Sequence, residues 1–149
     1  MSTGYTYDFA NKLLDSMLRG ENFPTPDRVK VGLFTSDPGF HGNLDYELDD
    51  SNYERKDFAH SGNPVNTGFD TPEEGVTRNS RVVEFNPLSS NSDGSTKEVT
   101  ITHFGIFLQI GSDEYVLALV APLNSPRTLE TGDVLTWDQA SVVVDLMQS

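Results

Sequence analysis

Four acidic residues in one short segment are the first group that could do chemistry: Asp45, Glu47, Asp49 and Asp50. Carboxylates at alternate positions can wrap around a hard cation, so the segment is a candidate Ca²⁺ site. It departs from the EF-hand loop, because the sixth position counted from Asp45 is Asp50 instead of glycine and the twelfth is Lys56 instead of glutamate. A solvated acidic loop is therefore the favoured interpretation, and Ca²⁺ binding is the alternative.

The three histidines share no spacing that is typical of metal ligands. His41 and His60 lie in the polar middle of the chain, and His103 lies in its most apolar segment, where a structural role is favoured. The sequence contains no H-x-x-x-H pair, nucleophile elbow, phosphate-binding glycine loop or cysteine. We therefore predict that the protein is not an enzyme and that it uses no cofactor and no metal, apart from the weak Ca²⁺ candidate.

The charge balance restricts the kinds of partner. The 149 residues contain 23 Asp and Glu against 10 Lys and Arg, for a formal net charge of −13. Nucleic acids and anionic membranes are bound by clustered cationic side chains, whereas the basic residues here are dispersed. The expected partners are proteins, with no nucleic acid and no membrane.

Aromatic residues in the polar stretch 40–79 are candidates for protein contacts. Exposed aromatic side chains in a polar arm are typical of interface anchors, although aromatic side chains packed beneath a long loop explain the pattern equally well. The possible interface residues are Phe40, Tyr46, Tyr53, Phe58 and Phe69.

The elements that must position these residues follow from the hydrophobic pattern. Within residues 1–20, apolar side chains recur every three or four positions between Thr6, a suitable N-cap, and Gly20, which predicts one amphipathic helix. A helix of this length is marginal alone, so its apolar stripe must dock on a larger surface. The stripe consists of Phe9, Ala10, Leu13, Leu14, Met17 and Leu18.

From Val29 onward the hydrophobic period changes to two, which is typical of strands. Residues 40–79 form a loop-rich excursion or interface arm, and residues 80–149 supply the core hairpins. The predicted strands are 29–33, a short one within 53–60, 81–85, 99–110, 115–121, 134–137 and 142–147, with a turn at 111–113.

The hairpin of strands 99–110 and 115–121 is apolar on both faces, since Phe104, Ile106 and Leu108 alternate with Ile101 and Phe107. Strands of this kind are covered on both sides. We predict a mainly β fold in a single domain over 1–149. It is an antiparallel β-sandwich of about seven or eight strands with the N-terminal helix packed on an outer face.

Three segments form a recognisable pattern: residues 13–20, residues 31–39 and residues 100–107, of which Thr102, His103, Phe104 and Gly105 are the most specific piece. Together with residues 121–137, they resemble a small virion protein family of tailed bacteriophages that is commonly labelled tail fibre protein. Two places depart from the family pattern. The chain keeps Tyr53 and Arg55 of a Tyr-x-Arg motif without the glycines that precede it, and residues 97–99 replace a Trp-Gly pair.

The resemblance implies a structural protein of a phage particle. One domain without repeats is too small for a fibre shaft, and its acidic surface suits the outside of a particle better than the DNA-filled interior. The hypothesis is an accessory protein on the virion exterior, assembled in the host cytoplasm, as capsid decoration (cement), head-fibre base or tail-fibre-type component. Its partners are major capsid or tail proteins and further copies of itself. The alternative is a carbohydrate-binding module or a glycan hydrolase on a β-sandwich.

Overall fold

A five-stranded antiparallel sheet dominates the computed structural model, which describes residues 3–23, 25–60, 62–111 and 114–146. Most of the remaining strands are short, and two 3-10 turns lie at Leu44–Tyr46 and Val65–Thr67. In chain order the elements are β1 (Gly4–Tyr5), α1 (Tyr7–Arg19), β2 (Arg28–Phe34), β3 (Lys56–Asp57), β4 (Val76–Arg78), β5 (Val83–Glu84), β6 (Glu98–Gln109), β7 (Tyr115–Glu130), β8 (Thr136–Trp137) and β9 (Val143–Asp145).

The strands form two layers with the hydrophobic core between them. The large sheet has the order β1-β7-β6-β2-β3, and two small ribbons, β4-β9 and β5-β8, lie apart from it. Val31, Leu33 and Ile106 of the large sheet pack in the same core as Val83 of β5 and Leu135, which precedes β8. The predicted antiparallel β-sandwich with an N-terminal helix is confirmed.

The long hairpin β6–β7 departs from regular pairing in two places. Its register shifts between Ile101 and His103 and again between Ile106 and Phe107. Between Ile101 and His103 the partner strand β7 advances from Arg127 to Pro122, so the regular alternation of side chains between the two faces is interrupted there. Ile101 and Ile106 therefore lie in the same core, and the prediction that they face opposite sides was wrong. Phe107 instead stacks near Phe34, with 6.3 Å between the ring centroids.

Strand lengths differ more from the sequence prediction than strand positions do. The strand predicted over 115–121 continues to Glu130, whereas β3, β5 and β8 have only two residues each. The two-residue β1 and the three-residue β4 were not predicted, because elements this short have no measurable periodicity. Met147 of the last predicted strand, and residues 112 and 113 of the predicted turn, lie outside the described residues.

Helix α1 begins and ends where the sequence indicates. The N–H of Phe9 donates to Oγ1 of Thr6 at 3.3 Å, and Gly20 closes the helix in the left-handed conformation with φ of 72°. The helix packs on β7, yet none of its residues is fully buried. Within the described part of the chain, no helix has the length and apolar character that crossing a membrane requires.

Candidate functional site

Two glycines of the family-like segments meet in the centre of the large sheet. Gly32 of β2 lies opposite Gly105 of β6 in the strand register. A Cβ on Gly32 would lie 2.7 Å from a ring carbon of Phe107, and a Cβ on Gly105 would lie 2.6 Å from a methyl carbon of Leu117. Real Cβ atoms do not approach so closely, so both positions require glycine for the packing of neighbouring side chains.

Beside Gly32, the long loop is fastened to the sheet by three side chains, Glu47, Tyr53 and Arg55, which we call the loop clamp. The Tyr53 hydroxyl donates to Oε2 of Glu47 at 2.6 Å and accepts from the Leu33 N–H at 3.0 Å. Arg55 donates to both oxygens of the same carboxylate, at 2.8 Å each. Its guanidinium carbon also lies 3.8 Å from the centre of the Phe107 ring. The Tyr-x-Arg motif thus ties the loop to β2 and β6.

The electrostatics of the loop clamp favour a structural role. Burial raises the pKa of Tyr53, and the neighbouring Glu47 carboxylate raises it further. Burial alone would lower the pKa of Arg55, but the hydrogen bonds to Glu47, the negative charge of Glu47 and the nearby Tyr53 and Tyr115 together raise it. General acid–base catalysis needs groups whose pKa values lie near the working pH. The pKa values of the Tyr53 phenol and the Arg55 guanidinium are both raised further above neutral pH. Both groups therefore stay protonated and serve as fixed hydrogen-bond donors.

Asp50 forms a second, separate ion pair. Its side chain is 1% exposed and accepts from Nζ of Lys97 at 2.8 Å. Burial would raise the pKa of Asp50, but hydrogen bonds from Lys97, Ser89 and the Asn52 backbone lower it to about 2. Glu47 and Asp50 therefore have different cationic partners, while Asp45 and Asp49 are exposed. Nowhere in the described ranges do three potential metal-ligating side chains come together.

The Thr-His-Phe-Gly segment lies within the packing of the sheet. His103 is 5% exposed, and its Nδ1 lies 2.8 Å from the Thr102 hydroxyl. The Phe104 ring meets the edge of Trp137, with 5.3 Å between the ring centroids. His41 instead contacts the ring of Tyr7 at 4.9 Å, and His60 is exposed. These contacts agree with a structural role for the segment.

The five aromatic interface candidates have different surroundings. Phe58 is 1% exposed and packs on Phe69, with 4.6 Å between centroids, so the expectation of an exposed anchor fails for Phe58. Phe40 packs on the Tyr7 ring, and Tyr53 belongs to the loop clamp. Tyr46 is 43% exposed and stays a predicted interface residue.

One groove was not anticipated from the sequence. It has a volume of about 460 Å³, and its lining includes the aromatic rings of Phe104 and Trp137. The polar residues of the lining are Asn124, Ser125, Arg127 and Ser141. These residues belong to separate parts of the chain, so no local spacing could have pointed to them. The arrangement can stack an apolar face of a ligand and hydrogen-bond its edges.

The family-like pattern extends over nearly the whole chain. The family model described as Podophage GP4 fiber I protein gp80 matches residues 4–145, a range that includes the glycine pair, the loop clamp and the Thr-His-Phe-Gly segment. No curated protein matches the chain. The predicted relation to phage fibre-type proteins is confirmed, and the chain belongs to the family of the podophage GP4 fiber I protein gp80.

Proposed function

We propose that this protein is an accessory structural component on the exterior of a tailed-phage virion. The family match over residues 4–145 carries the proposal, because it identifies a phage fibre-type protein. The proposed positions are capsid decoration or head-fibre base, or a tail-fibre-type attachment. The proposed partners are the major capsid or tail proteins and further copies of this chain, which assemble in the host cytoplasm.

Two physical observations support this function. Two ion pairs with little exposed side chains, Glu47 with Arg55 and Asp50 with Lys97, hold loops in place. The net charge of −13 would repel packaged DNA and suits a solvated outer surface. Both features are those of a rigid surface component.

Cryo-EM of intact particles tests the location, with particles from a phage that lacks the corresponding gene as the control. Density that fits this sandwich outside the shell or the tail is expected in the wild-type particle alone. Protein found only inside the capsid, or missing from purified particles, would contradict the proposal. Quantitative mass spectrometry then separates the positions, because a copy number that follows the major capsid protein indicates decoration and a few copies indicate the tail.

Carbohydrate binding is a second candidate function, and the Phe104 and Trp137 groove favours it. Aromatic faces stack on sugar rings, while amide, hydroxyl and guanidinium groups such as those of Asn124, Ser125 and Arg127 bind sugar hydroxyls. Glycan hydrolysis would in addition need a pair of carboxylic acids, whereas the polar groups that line this groove are neutral or cationic. The groove therefore supports binding more than hydrolysis.

A glycan array followed by calorimetry tests the groove. The exposed Arg127 should contribute to affinity, so Arg127→Ala is expected to weaken binding at least about tenfold without a change in melting temperature. Arg19→Ala, which removes another exposed arginine on α1, an element that contributes no residue to the groove lining, is the matched control. Absence of binding to any host-surface glycan, or equal effects of the two variants, would remove this candidate.

A further inference from the structure

Helix α1 presents an apolar stripe to solvent. Leu14 is 50% exposed, Met17 64% and Leu18 75%, and Tyr7, which lies about two turns before Leu14, is 52% exposed. Residues 7, 14 and 18 recur at helical spacing and share one face. Large apolar side chains grouped on one exposed face are typical of a contact surface.

The opposite side of the helix is already occupied. The Thr6 N–H donates to the Ala118 carbonyl at 2.9 Å, and the Phe9 ring packs against Tyr5 and Phe23, with centroids at 5.4 and 5.6 Å. The Tyr7 N–H also donates to the Phe40 carbonyl at 2.9 Å. These contacts hold α1 in one orientation, so its exposed stripe is organised before any partner arrives.

The charged residues beside the stripe can pair with the same residues of a second helix that runs in the opposite direction. Asp8, Lys12, Asp15 and Arg19 alternate in sign along one side of α1. They form ion pairs within the helix, from Lys12 Nζ to Asp8 Oδ1 at 3.8 Å and from Arg19 Nε to Asp15 Oδ1 at 3.3 Å. In two antiparallel helices centred between Leu13 and Leu14, Asp8 would face Arg19 of the second copy, and Lys12 would face its Asp15. In parallel helices related by a two-fold axis, the two charged rows would lie on opposite sides of the contact and could not pair with each other.

The charge of the whole chain also favours α1 over other surfaces for self-association. Two copies with a net charge of −13 repel each other wherever acidic surfaces meet. Residues 7–19 carry two acidic and two basic side chains, so this segment has no net charge. Contact between two copies through α1 therefore places no net charge directly in the interface.

From these observations we propose that two copies of this chain pair through α1 as antiparallel helices about a two-fold axis. This inference rests on the proposed function, in which several copies of the chain assemble, and it specifies how two of those copies contact each other. A two-fold contact uses the same residues on both copies, as the order of charges allows. The helix is about 20 Å long and covers less than the roughly 800 Å² per partner of a standard interface. Pairing in solution should therefore be weak, and a particle that holds neighbouring copies would strengthen it.

Sedimentation equilibrium at concentrations up to about 1 mM measures the pairing. The wild-type chain is expected to dimerise reversibly, and Leu18→Ser should weaken dimerisation at least about tenfold. Leu146→Ser, which alters a 62% exposed leucine beside the β4–β9 ribbon, is the matched control and should leave dimerisation unchanged. Both side chains are more than half exposed, so the fold should persist in both variants.

A charge-reversed variant tests the orientation. Asp8→Lys, Lys12→Glu, Asp15→Lys and Arg19→Glu together keep both ion pairs within the helix and keep the antiparallel complementarity. This variant should dimerise with itself, but in a mixture with wild type it should form fewer mixed dimers than random pairing, as measured by native mass spectrometry.

Random or preferred mixed dimers would overturn the antiparallel pairing, and a wild-type chain that stays monomeric would overturn self-association through α1. A complex with the purified major capsid protein that depends on Leu18, without any self-association, would assign the stripe to that protein and also overturn the inference. None of these results would change the location of the protein on the virion, which cryo-EM measures independently.

Discussion

Single buried polar residues connect segments that are far apart in the chain, and Asn79 shows how. It is fully buried, and its Nδ2 donates to the carbonyls of Arg81 and Asp138 at 2.8 and 3.0 Å. Its Oδ1 accepts from the Val142 N–H at 2.8 Å. Each polar atom of the amide therefore has a partner, and the segment before β9 is held beside the one before β5.

Asn79→Asp should destabilise the protein strongly at neutral pH. The carboxylate oxygen that replaces Nδ2 would face the carbonyl oxygens of Arg81 and Asp138 and would lack the donors that a buried charge needs. We expect a loss of about 3 kcal/mol or more in the free energy of unfolding, measured by urea denaturation at pH 7. Asn66→Asp, at an exposed asparagine, is the control and should stay within about 0.5 kcal/mol of wild type. Similar losses for both variants would argue against the hydrogen-bond network.

The Asp50 and Lys97 pair should make the protein sensitive to acid. The folded pKa of Asp50 is about 2, below the value of about 3.9 in an unfolded chain. The stabilisation is therefore complete above about pH 4 and is lost as the pH falls through 2. We expect Asp50→Asn to cost roughly 2–3 kcal/mol at pH 7, and the difference from wild type to shrink as the pH falls from 4 to 2. Urea unfolding across this pH range measures the difference in unfolding free energy. Asp49→Asn, at an exposed aspartate, is the control. A difference that does not change with pH would contradict the assignment.

At the scale of elements, α1 depends on its N-terminal attachment. Thr6 is 2% exposed, accepts from the Phe9 N–H and donates to the Leu117 carbonyl on β7. Thr6→Ala should cost about 1–2 kcal/mol, because it removes both the cap and the link to the sheet, whereas Thr6→Ser retains the hydroxyl and most of the stability. Thermal unfolding followed by circular dichroism compares the two variants. Equal melting temperatures would show that α1 is anchored by other contacts.

The loop clamp should govern how tightly the loop around residues 47–55 is held. Glu47→Ala leaves the half-buried Arg55 without its carboxylate, so we expect a loss of about 3 kcal/mol and faster amide exchange in the loop. Glu54→Ala is the control, because Glu54 pairs with Lys56 at an exposed position and should contribute less than about 1 kcal/mol. Hydrogen exchange followed by mass spectrometry compares amide exchange in the loop of the two variants. Unchanged exchange in Glu47→Ala would show that the loop clamp does not hold the loop on the sheet.

At the scale of the whole molecule, the net charge of −13 opposes folding through repulsion between acidic residues. Raising NaCl from about 10 mM to about 300 mM shortens the Debye length from about 30 Å to under 10 Å, so repulsion over the surface is screened while buried pairs are little affected. The melting temperature should therefore rise by a few degrees, as calorimetry can measure. Glu98→Gln, at an exposed acid, should reduce the increase slightly, and a falling melting temperature would contradict the argument.

Local sequence determined much of this protein. The period of Phe9 to Leu18 predicts α1, the alternation after Val29 predicts β2, and the apolar run on either side of Gly111 predicts the β6–β7 hairpin. The segments that relate the chain to its family are also short and continuous. Such signals need only neighbouring residues, because helix and strand periods are local properties of the backbone.

Only the tertiary structure decided which distant residues meet. Local patterning places Ile101 and Ile106 on opposite faces, but the shifted register of β6–β7 brings both into one core. The acidic segment suggested one cation site, yet the path of the loop directs Glu47 to Arg55 and Asp50 to Lys97. Lys97 lies 47 residues from Asp50 along the chain. Contacts over such distances depend on strand register and chain path, which no local spacing records.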